Sequence, residues 1–145
     1  MNERYLFRGK RKDNGEWVYG FYVFRRKRSG VFGQVISELD YDRHLIIDTQ
    51  GKSNEVIPET VGQCTGLRDK NGKLIFEGDL LRFTNTDNEQ SIYKVIYDDV
   101  YAGWRIQEIG CLGLDEMEDW ENSREYFEVI GNIHDNTELL EVSHE

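Results

Sequence analysis

The apolar and β-branched side chains fall in short runs separated by turn residues, which is the pattern of a β protein. The run from Trp17 to Phe24 is the most strongly β-prone, and it follows the turn pair Asn14-Gly15. Together with Tyr5 to Phe7 it predicts an opening hairpin. Further strands are predicted for Val31 to Ser37, His44 to Asp48, Glu55 to Pro58 and Leu80 to Phe83.

Turn signals also organise the second half of the chain. Asn71-Gly72 predicts a tight turn between short extended arms, and Gly78-Asp79 predicts a sharp corner before a strand, as in small barrels. The segments Ser91 to Tyr97 and Trp104 to Ile109 are predicted to pair as antiparallel strands through a turn at Asp98 to Gly103.

The last third of the chain changes to helical spacing. The acidic segment Leu114 to Trp120 places its apolar residues three positions apart, which predicts an amphipathic helical turn or two. A second short helical piece is predicted for Ser123 to Phe127 and a strand for Glu128 to Ile133. Asn136 is predicted to cap a final turn over Thr137 to Glu141.

Composition agrees with this pattern. Alanine, the best helix former, occurs once, and glycine occurs 14 times. No low-complexity stretch or clear repeat divides the chain. We therefore predict a single mainly β domain over residues 1–145, a small barrel-like fold of short antiparallel strands with one or two short C-terminal helices.

Length, charge and cysteine content exclude several classes of protein. The 145 residues can build a core without disulfides, and 18 basic against 28 acidic side chains give a net charge of -10. Non-specific attraction to nucleic acid or to an anionic membrane is therefore not expected of the whole molecule. Met1 to Lys12 lacks the apolar run of a signal peptide, and only Cys64 and Cys111 are present, so we expect a cytoplasmic protein.

No residue pattern indicates a reaction. The histidines are far apart and lack zinc spacing, and Cys64 is best explained as a small buried residue. We predict no catalytic residue, no cofactor and no metal ligand. The run of carboxylates from Asp115 to Glu121 is best explained as a solvated helix face, and a metal-dependent enzyme that processes nucleotides or nucleic acid is the alternative.

A cluster of four cations, here called the basic tip, follows the strongest predicted strand: Arg25, Arg26, Lys27 and Arg28. The favoured interpretation is a charged hairpin tip that keeps a strand edge from aggregating. Because Tyr19, Tyr22 and Phe24 lie beside the cations, contact with a partner or with single-stranded nucleic acid is the alternative.

Three passages resemble one known family. The run from Ile57 to Leu80, IPETVGQCTGLRDKNGKLIFEGDL, closely resembles the signature of the YopX family. Phe7 to Lys10 together with Gly15 to Gly20 resembles the beginning of its members, and Phe127 to Leu140 resembles their end. The basic tip and the segment Leu112 to Arg124 lie outside the resemblance.

The resemblance implies a small, predominantly β protein encoded by a bacteriophage or prophage. The family has no established activity, so no catalytic residue can be transferred to this chain. We therefore expect a non-catalytic phage accessory protein that acts by binding to itself or to an unidentified phage or host macromolecule.

The distribution of charge predicts a homo-oligomer. Residues 1–72 carry 13 basic and 10 acidic side chains, whereas residues 73–145 carry five and 18. The basic tip and the acidic segment Asp115 to Glu121 are complementary, so copies of the chain can associate through them. An acidic surface that imitates DNA is a further alternative.

Overall fold

The computed structural model describes residues 3–26 and 42–141 as short antiparallel strands with little helix. The strands are β1 (Phe7–Lys10), β2 (Trp17–Arg25), β3 (Arg43–Ile47), β4 (Ser53–Glu55), β5 (Gly62–Arg68), β6 (Leu74–Phe76), β7 (Asp79–Thr84), β8 (Gln90–Asp98), β9 (Gly103–Glu108), β10 (Asp115–Glu116) and β11 (Phe127–Asn132). The helical pieces are α1 (Trp120–Ser123) and 3₁₀ helices at Glu3–Tyr5, Pro58–Thr60, Arg124–Tyr126 and Thr137–Leu140. Within the described residues, no helix has the length and apolar character needed to cross a membrane.

The mainly β prediction is confirmed, although the expected barrel does not form. The strands make two antiparallel sheets, and no pairing between described strands closes either sheet on itself. By its contacts the chain divides into two compact units. The first unit is Tyr5–Gln63, and the second is Cys64–Glu145 with Met1–Arg4, each as far as the structure describes it. The assignment of residues 1–145 to one domain stays a prediction.

The first unit contains the predicted opening hairpin. β1 pairs with β2, and β2 pairs with β3, which pairs with β4. A Cβ atom at Gly20 would lie 1.9 Å from the carbonyl oxygen of Ile47, so β2 passes β3 too closely there for any other residue. The buried apolar side chains of this unit are Leu45, Ile46 and Val56. The predicted strand Val31 to Ser37 lies outside the described residues.

The predicted strand Glu55 to Pro58 is displaced in the structure. β4 ends at Glu55, and Val56 makes only an isolated bridge to Arg11. A 3₁₀ helix then begins at Pro58. Because proline lacks a backbone N–H and has a fixed φ, it suits the first turn of a helix better than a paired strand.

The second unit is built around a five-stranded sheet in the order β10-β9-β8-β7-β11. The pairing of β7 with β8 and of β8 with β9 confirms the predicted strands and the turn at residues 98–103. Its buried core comprises Ile75, Leu81, Val95, Ile106, Met117, Trp120 and Phe127.

The predicted amphipathic helix from Leu114 to Trp120 is wrong. Asp115 and Glu116 form β10, in which Asp115 is paired with Ile106 of β9. Asp119 then has a left-handed backbone with φ 51°, and α1 begins only at Trp120. Pairing with the exposed edge of β9 satisfies backbone groups that a short isolated helix would leave open.

The final segments follow the predicted order with one difference in detail. Arg124–Tyr126 is the second short helical piece, and β11 is the predicted last strand. Asn136 precedes the final 3₁₀ helix but does not cap it, because its side-chain oxygen accepts the backbone N–H of Asn132 at 3.1 Å.

Three hairpins share one five-residue turn, at residues 48–52, 69–73 and 85–89. The side-chain oxygen of the first residue, which is Asp48, Asp69 or Asn85, accepts the backbone N–H groups of the third and fifth residues. The fourth residue has a positive φ and is Gly51, Gly72 or Asn88. The turn predicted at Asn71-Gly72 is thus confirmed, and an Asp or Asn at its first position is the recurring signal.

Candidate functional site

Two members of the predicted basic tip are visible at the end of β2. Arg25 is the last residue of β2, opposite Arg43 of β3, and Arg26 follows it. Both side chains are exposed, and neither forms an ion pair with any residue that the structure describes. Lys27 and Arg28 lie outside the described residues.

The aromatic residues beside the tip differ in what they contact. Tyr19 and Phe21 alternate on the same face of β2 as Arg25 and are 45% and 59% exposed. Tyr22 is half-buried, and its hydroxyl is 2.5 Å from Nδ1 of His44. Burial raises the pKa of Tyr22, so this phenol stays neutral and serves packing. Phe24 lies on the opposite face, where it is 46% exposed and its ring centroid is 4.9 Å from that of His44. Both faces of β2 therefore present an aromatic ring near its end.

The surroundings of the two cysteines do not activate either thiol for catalysis. Cys64 is buried, and its sulfur lies 3.4 Å from the backbone nitrogen of Gly66. Desolvation raises the pKa of the Cys64 thiol, and desolvation together with Glu108 raises that of Cys111, so neither sulfur is activated as a thiolate. Within residues 3–26 and 42–141, no three His, Cys, Asp or Glu side chains are grouped so as to hold a metal ion.

The second unit has a pocket of about 250 Å³, here called the aromatic pocket, over one end of its core. Its lining consists of Phe83, Tyr93, Ile106, Asp115, Glu116, Glu118, Trp120, Ser123, Tyr126 and Phe127. Strands β7, β8, β9, β10 and β11 supply most of these residues, and the segment between β10 and β11 supplies the others.

The aromatic rings of the pocket are packed against one another. The ring of Phe127 lies 4.8 Å from that of Trp120, 5.1 Å from Phe83 and 5.9 Å from Tyr93, measured between centroids. The indole N–H of Trp120 donates to the carbonyl oxygen of Arg68 at 2.7 Å. These contacts fix the rings before any ligand arrives, which lowers the entropic cost of binding.

The rim of the pocket carries carboxylates of two kinds. Glu116 forms an ion pair with Arg105 at 3.7 Å, so its charge is partly compensated. Asp115 and Glu118 are exposed, and neither forms an ion pair with a residue in the described part of the chain. The rim therefore presents two carboxylates that form no ion pair with a described residue.

The pKa values of two tyrosines in the pocket are raised in part by neighbouring carboxylates. Desolvation raises the pKa of Tyr93, and the carboxylates of Glu108 and Asp115 raise it further. A hydrogen bond to Glu125 and the charge of that carboxylate raise the pKa of Tyr126. Both phenols are neutral near pH 7, and a positive charge is the ligand charge that this environment favours.

Aromatic faces and unpaired carboxylates suit the same kind of ligand. The charged head of a Lys or Arg side chain is attracted to the face of an aromatic ring. The apolar methylene groups of the same side chain pack favourably against the ring edges. The sequence does not predict this pocket, because its lining comes from positions spread over residues 83–127 and the acidic segment at its rim has the spacing of a solvated helix. The density of aromatic residues around the acidic segment was the signal available.

The comparisons with known proteins concern the whole chain. A family model described as YopX protein matches residues 6–141. The crystal structure of protein EF1440 from Enterococcus faecalis is similar, with a TM-score of 0.51 and 26% sequence identity over 93% of this chain and 96% of that chain. No curated protein matches.

Proposed function

Because the chain belongs to the YopX protein family, we propose that it is a non-catalytic phage or prophage accessory protein that acts by binding to itself or to another macromolecule. The family match covers the three passages on which the resemblance was recognised. The aromatic pocket is the proposed binding site.

One observation carries this proposal: the pocket joins a fixed aromatic surface to carboxylates that the described chain leaves uncompensated. A pocket of this size holds one side chain rather than a nucleotide or a larger cofactor. A single anchoring side chain in a preformed aromatic pocket is typical of macromolecular interfaces. The site is therefore suited to recognition.

The proposal includes the cytoplasm of the bacterial host as the location. The two cysteines support it, because Cys64 and Cys111 are both free thiols. The phage setting is taken from the family resemblance.

Photo-crosslinking in bacterial cells that express the chain tests whether the pocket is a binding site. A benzophenone amino acid replaces Ser123 in the pocket lining, which leaves the carboxylates of Asp115 and Glu118 in place, and the same amino acid replaces Asp87 in the exposed turn at residues 85–89 as the control. We expect a discrete covalent adduct from position 123 and none from position 87. No adduct at position 123, or the same adduct at both positions, contradicts the proposal.

Nucleic-acid binding is a second candidate, and the basic tip is the observation that favours it. Arg25 and Arg43 are opposite each other at the end of the β2–β3 pair, and Tyr19 and Phe21 are exposed on the same face. Cations beside exposed rings are the arrangement that single-stranded nucleic acid binds.

A mobility-shift assay with single-stranded DNA and RNA at low salt tests this second candidate. We expect a shift that weakens when Arg25 and Arg26 are both replaced by Gln, with a smaller dependence on salt concentration. Lys52→Gln is the control, since Lys52 is an exposed cation in the turn at residues 48–52. Absence of any shift for the intact protein excludes this candidate.

A further inference from the structure

We propose that the aromatic pocket binds an arginine side chain of the basic tip of a second copy of this chain. The inference rests on the proposed function, because it names the partner of the same pocket. It commits to the described members of the tip, Arg25 and Arg26.

The chemistry of the pocket matches a guanidinium group. A guanidinium group is planar and weakly hydrated, so it can stack on an aromatic ring while its N–H groups bind carboxylates. The pocket lining contains the partly exposed rings of Phe83, Tyr93 and Tyr126 together with the carboxylates of Asp115 and Glu118. A lysine ammonium holds its water more strongly and cannot stack, so arginine is the better match.

Several cations of the described chain form ion pairs, such as Arg11 with Asp13 and Arg105 with Glu116. Arg25 and Arg26 have no such partner among the described residues, and neither have Asp115 and Glu118. The same chain therefore supplies an exposed pair of arginines and an exposed pair of carboxylates.

A second copy of the chain is the partner because each molecule carries both the tip and the aromatic pocket. Every copy can therefore donate an arginine and accept one. Contacts of this kind are satisfied in a closed assembly or in an open series of copies. Complementary charge across the contact makes association dependent on salt concentration.

Charge reversal on each side of the contact provides the test. The tip variant carries Arg25→Glu and Arg26→Glu, and the pocket variant carries Asp115→Lys and Glu118→Lys. Light scattering and sedimentation velocity measure the oligomeric state of each. We expect the unmodified protein to associate at low salt and each variant alone to lose at least tenfold in affinity for itself.

Mixing the two variants tests directly whether the tip of one copy contacts the pocket of another. The tip variant keeps an intact pocket, and the pocket variant keeps intact arginines, so we expect the mixture to regain a heterologous complex that neither forms alone. Lys52→Glu combined with Asp87→Lys is the control, because it reverses one exposed cation and one exposed anion outside the contact. The control should associate as the unmodified protein does.

If a charge-reversed variant fails to fold, the test is repeated with conservative variants. These are Arg25→Gln with Arg26→Gln for the tip, and Asp115→Asn with Glu118→Gln for the pocket. With Trp17 and Trp104 replaced by Phe, the fluorescence of Trp120 in the pocket should change on association and stay unchanged in the pocket variants. A monomer at every salt concentration, or association that both variants leave intact, overturns the inference. An adduct of a different macromolecule at position 123 with a monomeric protein also overturns it, while the proposed function stands.

Discussion

Replacing Asp69 by alanine should remove a large part of the stability of the second unit. Asp69 is 1% exposed and begins the turn at residues 69–73. One carboxylate oxygen accepts the backbone N–H groups of Asn71 and Lys73, at 2.8 and 2.9 Å. The other accepts the N–H of Val129 in β11 at 2.9 Å, so the side chain ties the turn to an edge strand of the sheet.

The magnitude follows from these three bonds. A hydrogen bond to a charged group contributes roughly 1.5–3 kcal/mol, and a buried donor left without an acceptor loses its hydration as well. The N–H groups of Asn71 and Lys73 lie at an exposed turn and regain water, whereas the group of Val129 is part-buried. We expect a loss of about 3–5 kcal/mol for Asp69→Ala and about 2 kcal/mol for Asp69→Asn, which keeps one oxygen.

Urea unfolding followed by tryptophan fluorescence measures both losses. Asn85→Ala is the matched control, because Asn85 makes the same two turn bonds from a neutral amide and holds no neighbouring strand. It should cost about 1 kcal/mol. The reasoning is refuted if Asp69→Ala costs no more than Asn85→Ala, since the contact to Val129 would then contribute nothing.

Three further predictions concern single positions. The backbone N–H of Lys52 is the main group that lowers the pKa of Asp48 below its ordinary value of 3.8. The Asp48 carboxylate therefore stabilises the first unit above pH 3.8, and this stability is lost as the pH falls through the pKa of Asp48 in the folded state. When the midpoint of urea unfolding is measured at decreasing pH, it should fall less steeply for Asp48→Asn than for the unmodified protein. Gly20→Ala should separate β2 from β3, because its Cβ would lie 1.9 Å from a backbone oxygen, and proteolysis of the first unit should accelerate. Trp120→Phe removes the bond to the carbonyl of Arg68 and should lower stability by about 1–2 kcal/mol in thermal unfolding.

The strands and turns were predictable because their signals are local. Alternation and turn residues specify a hairpin within about ten positions, as at Asn71-Gly72 and at Asp98 to Gly103. The prediction for Leu114 to Trp120 was wrong because the spacing of its apolar residues fits a helix, although part of the segment forms a strand. What decides its structure is the unpaired edge of β9, which pattern reasoning along one segment does not include.

The candidate site was less predictable for a related reason. Arg25 and Arg26 are adjacent in sequence, so the basic tip could be recognised before the structure. The rings of Phe83, Tyr93 and Phe127 meet only because β8 and β11 both pair with β7. Their proximity depends on strand order, and strand order is a long-range property.

The repeated five-residue turn has a consequence for how the chain folds. In each of the three hairpins that use it, at residues 48–52, 69–73 and 85–89, one side chain closes the turn by bonds to groups no more than four positions away. Closing so short a loop costs little entropy, and hairpins form within about 1–10 μs. These hairpins can therefore adopt their register early, and the slower search is left to the pairing of β7 with β11, which are separated by more than forty residues along the chain.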